Sequence, residues 1–132
     1  MRIVIDSNVW VSALVFGGMP RFLFECVVRE GWTIILSEEI LTEVRRVINK
    51  KFPDFIADFD SFILVLAPRI TLVKLGSIHL ELSRDPDDDR IIETAVIGSS
   101  HYVVTGDNDL LSLRSYEAIR FVSPSEFMAS NQ

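Results

Sequence analysis

Cysteine and histidine are scarce in this chain, with one cysteine, Cys26, and two histidines, His79 and His101, in 132 residues. A disulfide framework is therefore excluded, as is a structural zinc site of clustered thiolates and imidazoles. Apolar runs are short, and none approaches the ~20 residues that a membrane-spanning helix needs. The opening "MRIVIDSNVW" lacks the longer apolar segment and small-residue cleavage site of a signal peptide. Positive charge is the other shortage. Thirteen Lys and Arg stand against nineteen Asp and Glu, a net charge of -6. That balance argues against gripping nucleic acid through a broad basic surface. It leaves open the binding of phosphate through metal ions held on carboxylates. Cys26, set among Leu23, Val27 and Val28, reads as a buried, inert thiol and fits a reducing cytoplasm with no membrane association.

What is present is enough apolar residue for one core, including nine phenylalanines, so a single domain over 1–132 is expected. "IVI" (3–5) and "WTIIL" (32–36) are short continuous apolar runs, as in strands buried on both faces. "RITLVK" (69–74), "HYVVT" (101–105) and "AIRFV" (118–122) continue the series. Helical patterns lie between them. "SNVWVSALV" stops at Gly17–Gly18, Pro20 opens a helix to about residue 30, and Ser37 is a good N-cap for a helix to about Lys51. Phe55, Phe59, Phe62 and Leu66 recur at helical spacing after Pro53. Ser123, Pro124 and Glu126 form a capping box. Strands alternating with helices predict an α/β fold: three layers, α/β/α, around a parallel sheet of five strands.

"SRDPDDDRIIETA" (83–95) crowds four aspartates into five positions, 85–89, at the start of a helical pattern. A helix N-terminus welcomes one or two carboxylates. Four repel one another unless a cation sits among them. Two strands end at further acids, Asp6 and Asp107. Sites in open parallel sheets form at the carboxyl ends of strands, where the strand order switches. If those two strands are neighbours, Asp6, Asp107 with Asp109, and the 85–89 group converge at one rim. Hard oxygen donors without Cys or paired His suit Mg²⁺ or Mn²⁺. Such an ion activates water and neutralises phosphate. Glu43 lies on the polar side of its helix, and periodicity alone reads it as an i,i+3 partner of Arg46.

"IVIDSNVW", "LTEVRRVI", "DPDDDRIIETA" and "VVTGDNDLL", in this order, resemble the PIN-domain family. Within it they resemble the small VapC-like toxins of prokaryotic toxin–antitoxin systems, over nearly the whole chain. The resemblance implies a metal-dependent endoribonuclease cutting single-stranded RNA. Its acidic quartet maps onto Asp6, Glu43, Asp89 and Asp107, as metal ligands. Within 85–89, Asp89 fits the family's helix best, Asp87 and Asp88 are second choices, and Asp85, before Pro86, reads as a turn residue. Glu93 falls one turn beyond Asp89, either serving a second metal or pairing with Arg90. Ser7 and Asn8 match the family's polar positions after the first acid. Thr105 matches the hydroxyl before the fourth, and Asp109 is that motif's second acid.

The resemblance also implies a cognate antitoxin and often a homodimer, to which the Phe55–Leu66 helix and Trp10 could lend apolar area. Arg45, Arg46, Lys50 and Lys51, with Arg90 and Arg114, are candidate guides for the RNA backbone. Three rivals compete with this reading. A metal-independent ribonuclease would use His79 and His101, but neither sits in a supporting motif. A phosphoacceptor domain would phosphorylate Asp6, but the late-strand lysine it needs is missing. A non-catalytic PIN-fold module would bind RNA or protein without cutting.

Overall fold

The computed structural model describes residues 1–131. Six strands form one sheet in the order β3-β2-β1-β4-β6-β5. They are β1 (Arg2–Ile5), β2 (Thr33–Ser37), β3 (Ile70–Val73), β4 (Tyr102–Val104), β5 (Ser115–Tyr116) and β6 (Ile119–Val122). The five longer strands are parallel, as expected. The sixth, β5, pairs antiparallel with β6 at the edge. It is two residues long, too short for any periodicity to register, which is why the sequence suggests five strands.

Helices α1 (Ser7–Val15) and α2 (Gly18–Glu30) link β1 to β2, and α3 (Glu38–Lys51) and α4 (Ile56–Leu66) link β2 to β3. Helix α5 (Pro86–Ile97) leads into β4, α6 (Asn108–Leu113) follows it, and α7 (Pro124–Asn131) ends the described chain. Helix α2 starts two residues earlier than Pro20 suggests because Gly17 and Gly18 both take positive φ, at 76° and 63°, and turn the chain sharply there. Strand order grows outward from β1 to β3, then returns past β1 to β4. Right-handed crossovers therefore place α1–α4 on one face and α5 on the other. Accordingly α1 packs on α2 and α3, while α5 packs on β1, β2 and β4.

The core is continuous through the sheet. Ile3, Val4, Ile5, Ile34, Val103 and Val104 are all fully buried. Trp10 is core rather than contact surface: it is 1 % exposed, and its indole N–H donates to the Ile5 carbonyl at 3.0 Å. Around it stand Phe24, Phe59 and Phe62 with ring centroids 4.6–6.3 Å away. Phe59 and Leu66 of α4 are buried as well, whereas Leu64 and Val65 face outward. Cys26 is buried and unpaired. No single helix among the described residues is long and apolar enough to cross a membrane. Helices α1 and α2 meet at 101°, and much of their apolar surface lies in this core.

Candidate metal centre

Strands β1 and β4 are adjacent and parallel, with Ile5 beside Val104. Their carboxyl ends deliver Asp6 and Thr105, the residue that directly follows each strand, to one rim. Thr105 is fully buried. Its hydroxyl donates to Asp6 Oδ2 at 2.7 Å and accepts from the Asp107 amide at 2.9 Å. One hydroxyl thus fixes the separation of two acids that are 101 positions apart in the chain. Each acid also caps a helix. Asp6 Oδ1 accepts from the Ser7 amide at 2.7 Å, and Asp107 Oδ1 accepts from the Asp109 amide at 2.8 Å. Asn8 Oδ1 accepts from the Gly106 amide, tying the two strand ends together once more.

Helix α5 brings the third acid to the same rim. Asp85 takes the extended conformation imposed before Pro86 and caps the helix, accepting from the Asp87 amide at 2.9 Å. Asp88 and Asp89 are both nearly buried, at 6 % and 5 % exposure, yet they face different partners. Asp89 Oδ1 accepts the amides of Leu82 and Ser83 at 3.0 and 2.8 Å, which anchors the segment before the helix. Asp88 instead offers an oxygen within 4.8 Å of those of Asp107 and Asp109, and accepts from the Ser83 hydroxyl at 3.2 Å. Asp88, a second choice from the sequence, is the acid that stands beside Asp107, and Asp89, the first choice as metal ligand, is turned to the loop amides. Periodicity could not make this choice, because the loop that occupies Asp89 doubles back from outside the helix.

Electrostatics follow from the crowding. Burial, then the neighbouring Asp107 charge and its hydrogen bond, and finally Asp85, push Asp88 from 3.8 up to about 7, although the Ser83 hydroxyl opposes this. Burial chiefly raises Asp6 too, with Asp107 adding repulsion and the Thr105 and Ser7 hydrogen bonds working against both. These are carboxylates short of positive charge. Hard oxygen donors at this spacing could hold a divalent cation.

The cleft over this rim holds about 560 Å³. Asp6, Ser7, Asn8, Asp87, Asp88 and Asp107 line one side. Glu38, Glu39, Thr42, Glu43 and Arg46 of α3 line the other. Glu43 therefore reaches the cleft and also pairs with Arg46, through bonds of 2.7 and 3.3 Å. The Arg46 pairing read from its spacing is present, and the same side chain lines the cleft where the family resemblance put an acid. Glu93 does not join the cluster, because its buried carboxylate pairs with Arg90. Arg84 is a residue the sequence did not single out: it reaches across to Asp109 at 3.1 Å. Glu38 and Glu39 also passed unnoticed as cleft residues. Ser37 as an N-cap at a strand's carboxyl end was the available signal, since it places the first turn of α3 at the rim.

Of the expected backbone guides, Arg45 is turned away onto Asp60 and the Phe59 ring. Arg114 lies in a separate hollow beside Arg120. The histidines do not meet in this cleft. His79 pairs with Glu81, and His101 Nδ1 accepts from the Arg2 amide at the opposite end of the sheet.

Comparison with known proteins agrees with this architecture. The PIN domain family model matches residues 2–109. The chain is 27 % identical over 118 residues to the uncharacterised protein MJ1680 of Methanocaldococcus jannaschii, covering 86 % of this chain and 76 % of that one. Its fold is similar to a chain of VapBC2 from Rickettsia felis, solved bound to a DNA fragment from the promoter. The TM-score is 0.62 at 13 % identity, covering 92 % of this chain and 98 % of the other.

Proposed function

The chain belongs to the PIN-domain family, and from that premise we propose that it is a metal-dependent endoribonuclease acting on single-stranded RNA. The observation that carries this reading is the convergence of Asp6, Asp88 and Asp107 from three separate segments onto one cleft, with Asp88 raised to about 7 by its neighbours. Asp88, Asp107 and Asp109 have oxygens close enough to share an ion. Asp6 stands beside them, and Glu43 faces them across the cleft.

A divalent ion held there would neutralise phosphate charge and acidify water. The chain's own residues do the rest. Thr105 holds Asp6 and Asp107 in register. Asp89 pins the loop that supplies Ser83 to Asp88. Arg46 and Arg90, cations in the cleft lining, attract the backbone phosphates on either side of the acids. Ser7 and Asn8 line the floor as polar contacts for substrate.

As a member of a family of nucleases resembling VapC toxins in fold, the protein is read as the toxin of a cytoplasmic toxin–antitoxin pair. Its partner is a cognate antitoxin, and the outward Leu64 and Val65 of α4 offer apolar area to that partner or to a second copy.

Cleavage of end-labelled single-stranded RNA tests the reading, with Mn²⁺ or with EDTA, by the wild type and by Asp107→Asn. Cutting should need the ion, leave 5′-phosphate and 3′-hydroxyl ends, and vanish in the variant. Cutting that persists in EDTA, or that leaves 2′,3′-cyclic ends, would refute it.

A further inference from the structure

A second hollow adjoins the acidic cleft at Arg90. This cavity of about 260 Å³ lies beneath segment 75–79, lined by Glu39, Leu75, Ile78, His79, Arg90 and Glu93. Glu39 and Arg90 border both hollows, which are therefore neighbours. Their linings differ. The first gathers acids that suit an ion. The second has Leu75 and Ile78, the imidazole of His79 with its Nε2 on Glu81, the Glu39 carboxylate and the Arg90–Glu93 ion pair.

Glu39 is exposed and takes part in none of the ion pairs among the described residues. Glu93, by contrast, is buried and committed to Arg90. Glu93 offsets part of the Arg90 charge, while the arginine side chain stays 37 % exposed at the junction. A strand of RNA crossing from one hollow to the other would lay a phosphate against it.

We propose that the second cavity is a nucleobase subsite that selects guanine in a nucleotide flanking the cleaved bond. The proposal rests on the ribonuclease reading for its substrate class. Its chemistry is that of the cavity. Protein sites read unstacked RNA bases by stacking them on aromatic side chains and bonding their Watson–Crick edges. His79 supplies the ring, while Leu75 and Ile78 supply apolar contact. A free carboxylate offers two acceptor oxygens side by side. Guanine is the base whose Watson–Crick edge carries two adjacent donors, N1–H and the N2 amino group, to match them. Adenine, cytosine and uracil each set an acceptor beside a donor there, which a carboxylate repels.

The test uses a random-sequence RNA pool digested by the wild type with Mn²⁺, followed by sequencing of the product ends. Guanine should be enriched at one fixed offset from the cut. In Glu39→Gln that enrichment should fall roughly tenfold, the scale of one lost bidentate base contact, and it should weaken in His79→Ala. Inosine, which keeps N1–H and lacks the amino group, should give intermediate cutting.

Cutting with no guanine preference, or a preference unchanged in Glu39→Gln, overturns the subsite and leaves the nuclease standing. Binding of short oligonucleotides to Asp107→Asn separates the two ideas from the other side. Tighter binding of the guanine oligonucleotide than of its adenine counterpart, with no cutting by the wild type, keeps the subsite and refutes the nuclease. Equal binding of the two refutes the subsite whatever the wild type cuts.

Discussion

A carboxylate buried beside another carboxylate holds its proton until a cation replaces it. Asp88 is in that position, with its pKa lifted from 3.8 to about 7. Between those two values the folded protein binds more protons at this site than the unfolded chain does. Stability from Asp88 is therefore greatest below about pH 4 and is lost as pH rises towards 7. Asp6 is shifted in the same direction, chiefly by burial. In metal-free buffer the urea midpoint should fall across that window, and the slope should flatten in Asp88→Asn. A midpoint that climbs from pH 4 to 7, or a slope that survives the substitution, would contradict the assignment.

The same residue decides a second comparison. Asp89→Asn weakens the anchor that holds Leu82 and Ser83 and should cost about tenfold in Mn²⁺-dependent cutting, the scale of an outer-shell change. Asp88→Asn removes an oxygen from the cluster itself and should cost more than a hundredfold. A reversed order in side-by-side rate measurements would restore Asp89 to the centre.

At the scale of the element, the site is made of helix beginnings. Helices α1, α5 and α6 start at Asp6, Asp85 and Asp107, each accepting a first-turn amide. Helix α3 starts at Ser37, whose hydroxyl accepts from the Ile40 amide and meets the Thr94 hydroxyl at 3.0 Å. That buried pair sets the α3 wall of the cleft against α5. The far end of α5 is fixed by Gly98. A Cβ there would come within 2.3 Å of Ile35 Cγ2, so the helix end lies almost directly on β2. Its φ of -81° suits any residue, so space alone requires glycine. Gly98→Ala should lower stability by about 1–3 kcal/mol, the usual scale of overpacking, as read from chemical unfolding. A neutral result would mean that α5 is free to lift. Of these starts only Ser37 was legible as a cap in the sequence, where Asp6 and Asp107 read as strand-end acids and Asp85 as a turn residue before Pro86. The two-residue β5 had no such signal.

For the whole molecule, crowded acids make ion binding and folding one equilibrium. A ligand that binds only the folded state stabilises it by about 2.7 kcal/mol at a hundred times its Kd. Adding Mn²⁺ at pH 7.5 should accordingly raise the Tm by several degrees, and the rise should disappear when Asp88 and Asp107 are both changed to Asn. An equal rise in that double variant would locate the ion elsewhere.

The sequence by itself determined the α/β class, the alternation of elements, the caps at Ser37 and Ser123, and the placement of acids where strands end. All of these are local, written in hydrophobic period and in a few residues around each terminus. The adjacency of β1 and β4, inferred only conditionally, became a fact when the strand order placed them side by side. Only the tertiary structure turned Asp88 towards Asp107 and Asp89 towards the amides of Leu82 and Ser83. Neighbouring residues on a helix point about 100° apart, and which of them meets Asp107 depends on a loop that returns to occupy the other. It alone joined Glu43 to both Arg46 and the cleft, spent Glu93 on Arg90, and opened the second cavity behind Glu39. Each of these depends on side chains from distant segments competing for the same partner, and a periodic pattern carries no record of that competition.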